Sequence, residues 1–364
     1  MPEPLFADVD QTSDNRRNDE THFSFLERCS RQEVVEARLV LERWFSLLPE
    51  SQSERFRSRL MQESDIEHSA TVFELFIHAF LLGTGHTIRR YEPIYGNSQP
   101  DFLVETPQNE LMVVEATVVE RANRNQRTRE IHCNAIIDAL NEVPGTGHHL
   151  RIQFRGEFER SPRTSRVKRG FRHWMSNPSD QFECNEAGMN ITVTRFAETS
   201  EGYSGPNIGM IIGLEPGGAV HPEQQIRRKL RNKSRQLSAV DIPAVLAIKL
   251  PVWSADPYTI SQALFGDERV HFSLDSDEVT GTSRADNEAL IHRGVPDRTT
   301  ISGMLCCSKA EPWCVSEASA SYWQHPWAVR SFGGDTLNVT RWLPNRSTLE
   351  MERFESPSPL SEFL

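Results

Sequence analysis

No stretch of this chain is both long and apolar enough to cross a bilayer. The N-terminal region is acidic and polar and lacks the basic and apolar segments of a secretory signal, so the expectation is a cytoplasmic protein with no membrane partner. Cysteine is sparse: Cys29, Cys133, Cys184, Cys306, Cys307 and Cys314 include no C-x-x-C pair. That excludes a disulfide framework and a zinc ribbon, and it suits a reducing compartment. His132-Cys133 and His148-His149 lack a second ligand pair at zinc spacing. Gly-rich phosphate loops ending in Gly-Lys-Ser/Thr are absent, as is a Gly-x-Ser-x-Gly elbow. Gly83-Thr84-Gly85-His86 follows a helix where a dinucleotide fold needs a strand, and it lacks the third glycine. Nor is there an overall basic excess. The net charge of −11 excludes a uniformly basic nucleic-acid coat.

What is present is concentrated in one segment. Gln99-Pro100-Asp101-Phe102-Leu103-Val104-Glu105 and Leu111-Met112-Val113-Val114-Glu115-Ala116-Thr117 are rich in β-formers. Between them lies Thr106-Pro107-Gln108-Asn109-Glu110, a turn signal, so the segment reads as a hairpin. A turn centred near Gln108 sets Asp101 opposite Glu115, close enough for their carboxylates to share a divalent cation. Thr117 shares the face of Glu115, because side chains alternate along a strand. The second strand is otherwise apolar on both faces, and a carboxylate in such a strand is costly unless a metal or a partner satisfies it.

This hairpin resembles that of the PD-(D/E)xK nucleases, the restriction-endonuclease-like superfamily. Pro100-Asp101 matches the first element of the motif and Glu115 the second. Glu74, in the apolar helix Thr71–Leu82, stands where the family's helical carboxylate is expected. Thr117 occupies the position of the motif lysine. The resemblance implies an α/β fold with a mixed central sheet flanked by helices, and a metal-dependent phosphodiesterase. It implies Asp101 and Glu115 as ligands of Mg²⁺, with Mn²⁺ as the alternative ion, Glu74 as a third or water-mediated ligand, and the Ala116 carbonyl as a further oxygen.

A lysine at position 117 would balance transition-state charge, which a threonine hydroxyl cannot do. Three explanations stand: a cation reaches in from elsewhere, with Lys233, Lys229 and Arg121 as candidates; Thr117 and the metal suffice; or the core has lost catalysis and acts as a nucleic-acid-binding or protein-interaction module. Basic runs at Arg121–Arg129, Arg160–Arg172 and Arg227–Arg235 suit a phosphate backbone, and the expected partner is nucleic acid, DNA in the first instance. A homodimer is the simplest arrangement for cutting both strands.

Along the chain, residues 1–20 read as a disordered tail, 21–66 as an N-terminal helical segment, 67–265 as the restriction-endonuclease-like core, 266–342 as a C-terminal extension and 343–364 as a loose tail rich in Ser, Pro and Glu. Apolar spacing from Phe23 to Leu48 predicts one helix closed by Pro49, and Ser51–Met61 a second, short one. A strand within 86–95, the hairpin, a helix over 123–143 and a strand at His148–Arg155 follow, giving an α-β-β-β-α-β core order. Further strands are expected near 190–194, 208–212 and 243–250, and helices over 222–237 and 253–265. Tyr322-Trp323-Gln324-His325-Pro326-Trp327 could stack on bases but is expected to be a packed lid or domain seam, and Cys306-Cys307 with Cys314 is expected to be part of a small apolar core.

Overall fold

A computed structural model describes the chain outside residues 1–2, 8–10, 13–15, 17–19, 63, 120–123, 145–147, 177–180, 199–207, 213–221, 252–253, 273–278, 285–289, 293–294, 346–350, 357 and 359. It is an α/β protein of two compact units. The larger comprises Met1–Ser13, Thr21–Glu120 and His221–Leu364; the smaller comprises Asp14–Glu20 and Arg121–Val220. No helix among the described residues is long and apolar enough to cross a membrane.

The larger unit opens with helices. The stretch expected as one helix forms two, α1 (His22–Arg28) and α2 (Gln32–Ser46). The break falls at Cys29, which is extended and bridges to Thr12. Thr12 donates to the Arg28 carbonyl and accepts from Ser30, each at 2.8 Å, so these backbone groups are satisfied without continuing the helix. Pro49 stands at the N-cap of α3 (Glu50–Leu60), and Ser64 caps α4 (Asp65–Gly83) by accepting from the Glu67 N–H. Every residue of α4 from Thr71 to Leu81 is buried, as befits a helix that is apolar all round.

Strands β1 (Thr87–Tyr91), β2 (Phe102–Glu105) and β3 (Leu111–Val118) follow as an antiparallel set. The β2–β3 turn closes through a 2.8 Å bond from Thr106 N–H to the Glu110 carbonyl, with Asn109 at a left-handed φ of 65°.

The smaller unit is inserted in the chain after β3. It contains α5 (Arg124–Asn141), β4 (His148–Arg155), α6 (Thr164–Ser176), β5 (Gln181–Glu186), β6 (Met189–Glu198) and β7 (Ile208–Ile212). Its sheet runs β5-β6-β4-β7, and β4 pairs parallel only with β7. Ile136 and Leu140 of α5 join Val167, Phe171 and Trp174 of α6 in one core with Leu150, Ile152 and Phe154 of β4.

The chain returns to the larger unit through α7 (Pro222–Gln236), β8 (Ala244–Leu250) and α8 (Pro257–Phe265). The hairpins β9 (Glu268–Phe272) with β10 (Val279–Arg284), and β11 (Ile291–His292) with β12 (Val295–Pro296), come next. Strands β13 (Gly303–Ser308), β14 (Ser319–Gln324), β15 (Thr340–Pro344) and β16 (Met351–Phe354) complete an eight-stranded mixed sheet, β1-β2-β3-β8-β13-β14-β15-β16.

The strand beside β3 is therefore β8, parallel to it, whereas the sequence pattern set His148–Arg155 in the core order. The physical reason is burial. All seven residues of β8 are buried, as a central parallel strand requires, while β4 alternates as a strand covered on one face does. One face of the large sheet, with Val114 and Val245, packs on α4; the other, with Val113 and Leu246, packs on α7 through Ile226 and Leu230 and on Leu237 just beyond it.

Candidate metal and phosphodiester site

The pairs Phe102↔Val114 and Leu103↔Val113 fix the hairpin register, and Asp101, one residue before β2, continues it toward Glu115. The Asp101 carboxylate accepts the Ala116 N–H at 2.7 Å. Glu115 is 2 % exposed and sits in the middle of β3, on the α7 face with Val113 and Val119. Alternation puts Thr117 on that face too; it is buried and pairs with Ile248 of β8.

Lys233 of α7 ion-pairs with Glu115 Oε1 and donates to Gln236 Oε1 at 3.1 Å. Gln236 lies three residues on along the same helix, a spacing that brings side chains together. A lysine has three donor positions, so these two bonds leave one. Glu115 Oε2, by contrast, is buried without a hydrogen-bond partner. Both of the other cation candidates differ from Lys233: Lys229 lies one turn earlier on α7, and Arg121 falls outside the described residues.

Glu74 is buried on α4, and Arg59 of α3 holds it by a bidentate pair, both bonds 2.6 Å. The fork geometry of a guanidinium occupies both carboxylate oxygens. Glu74 is nonetheless felt electrostatically at Asp101 and Glu115. Burial, with the Glu115 and Glu74 charges adding, holds Asp101 well above the usual carboxylate range, against the Ala116 N–H and Lys233. Burial also raises Glu115, opposed by the Lys233 ammonium and its hydrogen bond. Asp101 in turn helps keep Arg59 charged.

Among the described residues, no three His, Cys, Asp or Glu side chains form a group that could hold a metal ion. The donors that converge are two, Asp101 and Glu115. Their chemistry fits a hard divalent cation: hard oxygens, one of them an orphaned buried atom, and two carboxyls whose anionic forms lack sufficient counter-charge.

Sequence reasoning missed Arg59, Gln236 and the Ala116 N–H. Arg59 is one of three arginines on a polar helix and carries no distinguishing signal. Gln236 was readable only once Lys233 was singled out. The remaining constellations are structural. Tyr322 donates to the Phe332 carbonyl at 2.7 Å, and Trp323 stacks on Trp342 with ring centres 4.6 Å apart. Cys306 and Cys307 are buried thiols whose ionisation burial pushes up. His132 lies edge-on to Phe158 within the smaller unit.

The fold and site define an α/β protein in which Asp101 and Lys233 gather around Glu115 on a central strand of a mixed sheet. No family model, curated protein or solved structure matches the chain.

Proposed function

We propose that this protein is a metal-dependent nuclease with a restriction-endonuclease-like core, hydrolysing phosphodiester bonds in DNA in a restriction, defence or repair role. The observation that carries this reading is Lys233 reaching Glu115 from α7, which puts an ammonium beside the carboxylate pair although position 117 is threonine. The order α4, β1, β2, β3 and the parallel neighbour β8 support the fold assignment.

Asp101 and Glu115 would hold Mg²⁺ or Mn²⁺. A divalent ion held there would supply positive charge for the scissile phosphate and for activation of an attacking water. The Ala116 N–H orients Asp101 through its Oδ2 and leaves the other oxygen to bind. Glu115 offers Oε2 while Lys233 holds Oε1. The Lys233 ammonium stabilises negative charge developing on the phosphate, the part otherwise played from position 117. Arg59 holds Glu74 in place through both carboxylate oxygens, so this residue lies near the cation site without adding a ligand. Cutting both strands calls for two such sites, as a homodimer or a nicking pair.

A second reading rests on the same contact. The ammonium itself can satisfy Glu115, leaving a metal-free scaffold that binds nucleic acid or protein. Supercoiled plasmid incubated with Mg²⁺, Mn²⁺ or EDTA separates the two, with Asp101→Ala alongside. Metal-dependent nicking or linearisation that vanishes in Asp101→Ala is the expected result. Full activity in that variant would overturn the nuclease reading, and absence of both cleavage and metal binding would favour the scaffold.

A further inference from the structure

The inserted segment of the smaller unit differs in charge from the rest of the chain. Residues 121–220 carry 13 Arg and Lys against 11 Asp and Glu, a net of +2, where the whole chain is −11. The positive charge is gathered on α6, which contains no acidic residue. Val167, Phe171 and Trp174 anchor one face of that helix in the core. Arg166, Arg169 and Arg172 are all exposed, and at 3.6 residues per turn they fall on the opposite face. Arg163, also exposed, extends the strip at the start of the helix, where its N–H donates to buried Glu186 at 3.0 Å and fixes the approach of the chain. The ion pair of Arg166 with Glu186 is long, 3.8 Å, and the arginine side chain remains 72 % exposed, so its charge is still presented to solvent.

We propose that this face of α6 is a docking surface for the phosphate backbone of nucleic acid, which the inserted unit grips independently of base sequence. The identity of the polyanion rests on the nuclease reading; the surface itself rests on charge and geometry. A net acidic chain repels a polyanion at long range, so a local basic strip on a rigid helix is what binding requires. Arginines on a solvent face suit phosphate oxygens through paired N–H donors, and such contacts position a duplex without reading its bases. An acidic protein partner would be a different occupant, and the test excludes it.

The experiment uses the full chain carrying Asp101→Ala, so that binding is measured without cutting, and a duplex of about thirty base pairs at several salt concentrations. Adding Arg166→Gln, Arg169→Gln and Arg172→Gln is expected to weaken binding about tenfold or more, and to flatten the salt slope by about two to three, equally for unrelated sequences. The triple Lys variant keeps the charge and should bind within about threefold of the parent. Unchanged affinity and slope in the Gln variant, or no nucleic-acid binding by the parent at low salt, would overturn the proposal. Hydrolysis of bis(p-nitrophenyl) phosphate with Mn²⁺, by chains with Asp101 intact, keeps the two readings apart. A Gln variant that hydrolyses this small diester normally but loses plasmid cleavage supports the surface. If even wild type leaves the diester intact while the Gln substitutions abolish binding, the nuclease reading fails and the surface stands.

Discussion

Lys233 on α7 and Glu115 on β3 are 118 residues apart in sequence, and their ion pair joins the helix after the inserted unit to the central strand before it. The ammonium is the cation that pairs with Glu115 of the carboxylate pair, which makes it the most sensitive position in the site. Lys233→Ala should lower the rate of plasmid cleavage by about 10²-fold or more with little change in DNA affinity. It also leaves Glu115 buried without its counter-charge, so the fold should lose about 3 kcal/mol, seen in urea denaturation. Wild-type cleavage by this variant would exclude a catalytic part for the lysine.

Asp101 makes the site sensitive to pH. Its carboxyl binds a proton more tightly in the folded protein than unfolded, where its ordinary value is 3.8. Folded protein therefore holds more protons than unfolded between 3.8 and the raised value. Stability from this group is present below that window and is lost as pH rises through the folded pKa. Asp101→Asn keeps an acceptor for the Ala116 N–H but removes the charge. In EDTA the variant should be more stable than wild type at neutral pH, with the difference shrinking to zero as pH falls toward 4. A difference independent of pH would contradict the raised pKa. Mg²⁺ should reverse the order, because it stabilises only the anionic pair.

How much of this was readable in the sequence depends on distance along the chain. The β2–β3 register follows from the position of a five-residue turn, so the approach of Asp101 to Glu115 was legible. So was the burial of α4, whose apolar residues surround the helix. The break between α1 and α2 was not, because it depends on Thr12 meeting Arg28 and Ser30. Placing His148–Arg155 in the core order passed over a signal: residues 244–248 are a continuous apolar run, the pattern of a central parallel strand, while His148–Arg155 alternates. Lys233 could be named only as one of several basic residues, since its meeting with Glu115 is set by that crossover. Arg59 had no sequence signal at all.

Arg59 and Glu74 form a bidentate pair in which the carboxylate is buried and the arginine only a quarter exposed. Arg59→Met should destabilise the protein by about 3 kcal/mol, because it strands the glutamate. Arg59→Met with Glu74→Leu should recover most of that loss by replacing the pair with apolar packing. If the double variant also retains metal-dependent cleavage, Glu74 is dispensable as a ligand; if it folds normally but loses cleavage, the Glu74 charge is required at the site.

Gly303 begins β13 where the strand passes the Tyr322 ring. A Cβ there would meet the Tyr322 hydroxyl and would lie 2.7 Å from the Trp323 carbonyl oxygen. Tyr322 is fully buried and bonded to Phe332, and the other obstacle is backbone, so neither can retreat cheaply. Gly303→Ala should therefore cost about 2 to 3 kcal/mol, measured by denaturation. A loss below about 0.5 kcal/mol would show that this end of β13 yields.

Moving the cation back to the strand tests the whole account of the site. Thr117 lies two residues beyond Glu115 on the same face, in a buried position. Thr117→Lys alone adds a second ammonium to a place that is only 7 % exposed, and it should destabilise the protein and lower activity. In Lys233→Ala the balance differs, because Glu115 has lost its partner and Asp101 still repels it. A lysine at 117 can then take up the vacated charge balance through its flexible stem. The double variant Thr117→Lys with Lys233→Ala should recover both stability and cleavage by about tenfold or more over Lys233→Ala. Stability restored without cleavage would mean that Lys233 only neutralises Glu115 and takes no part in the reaction. Neither restored would mean that position 117 does not face the carboxylate pair closely enough to serve it.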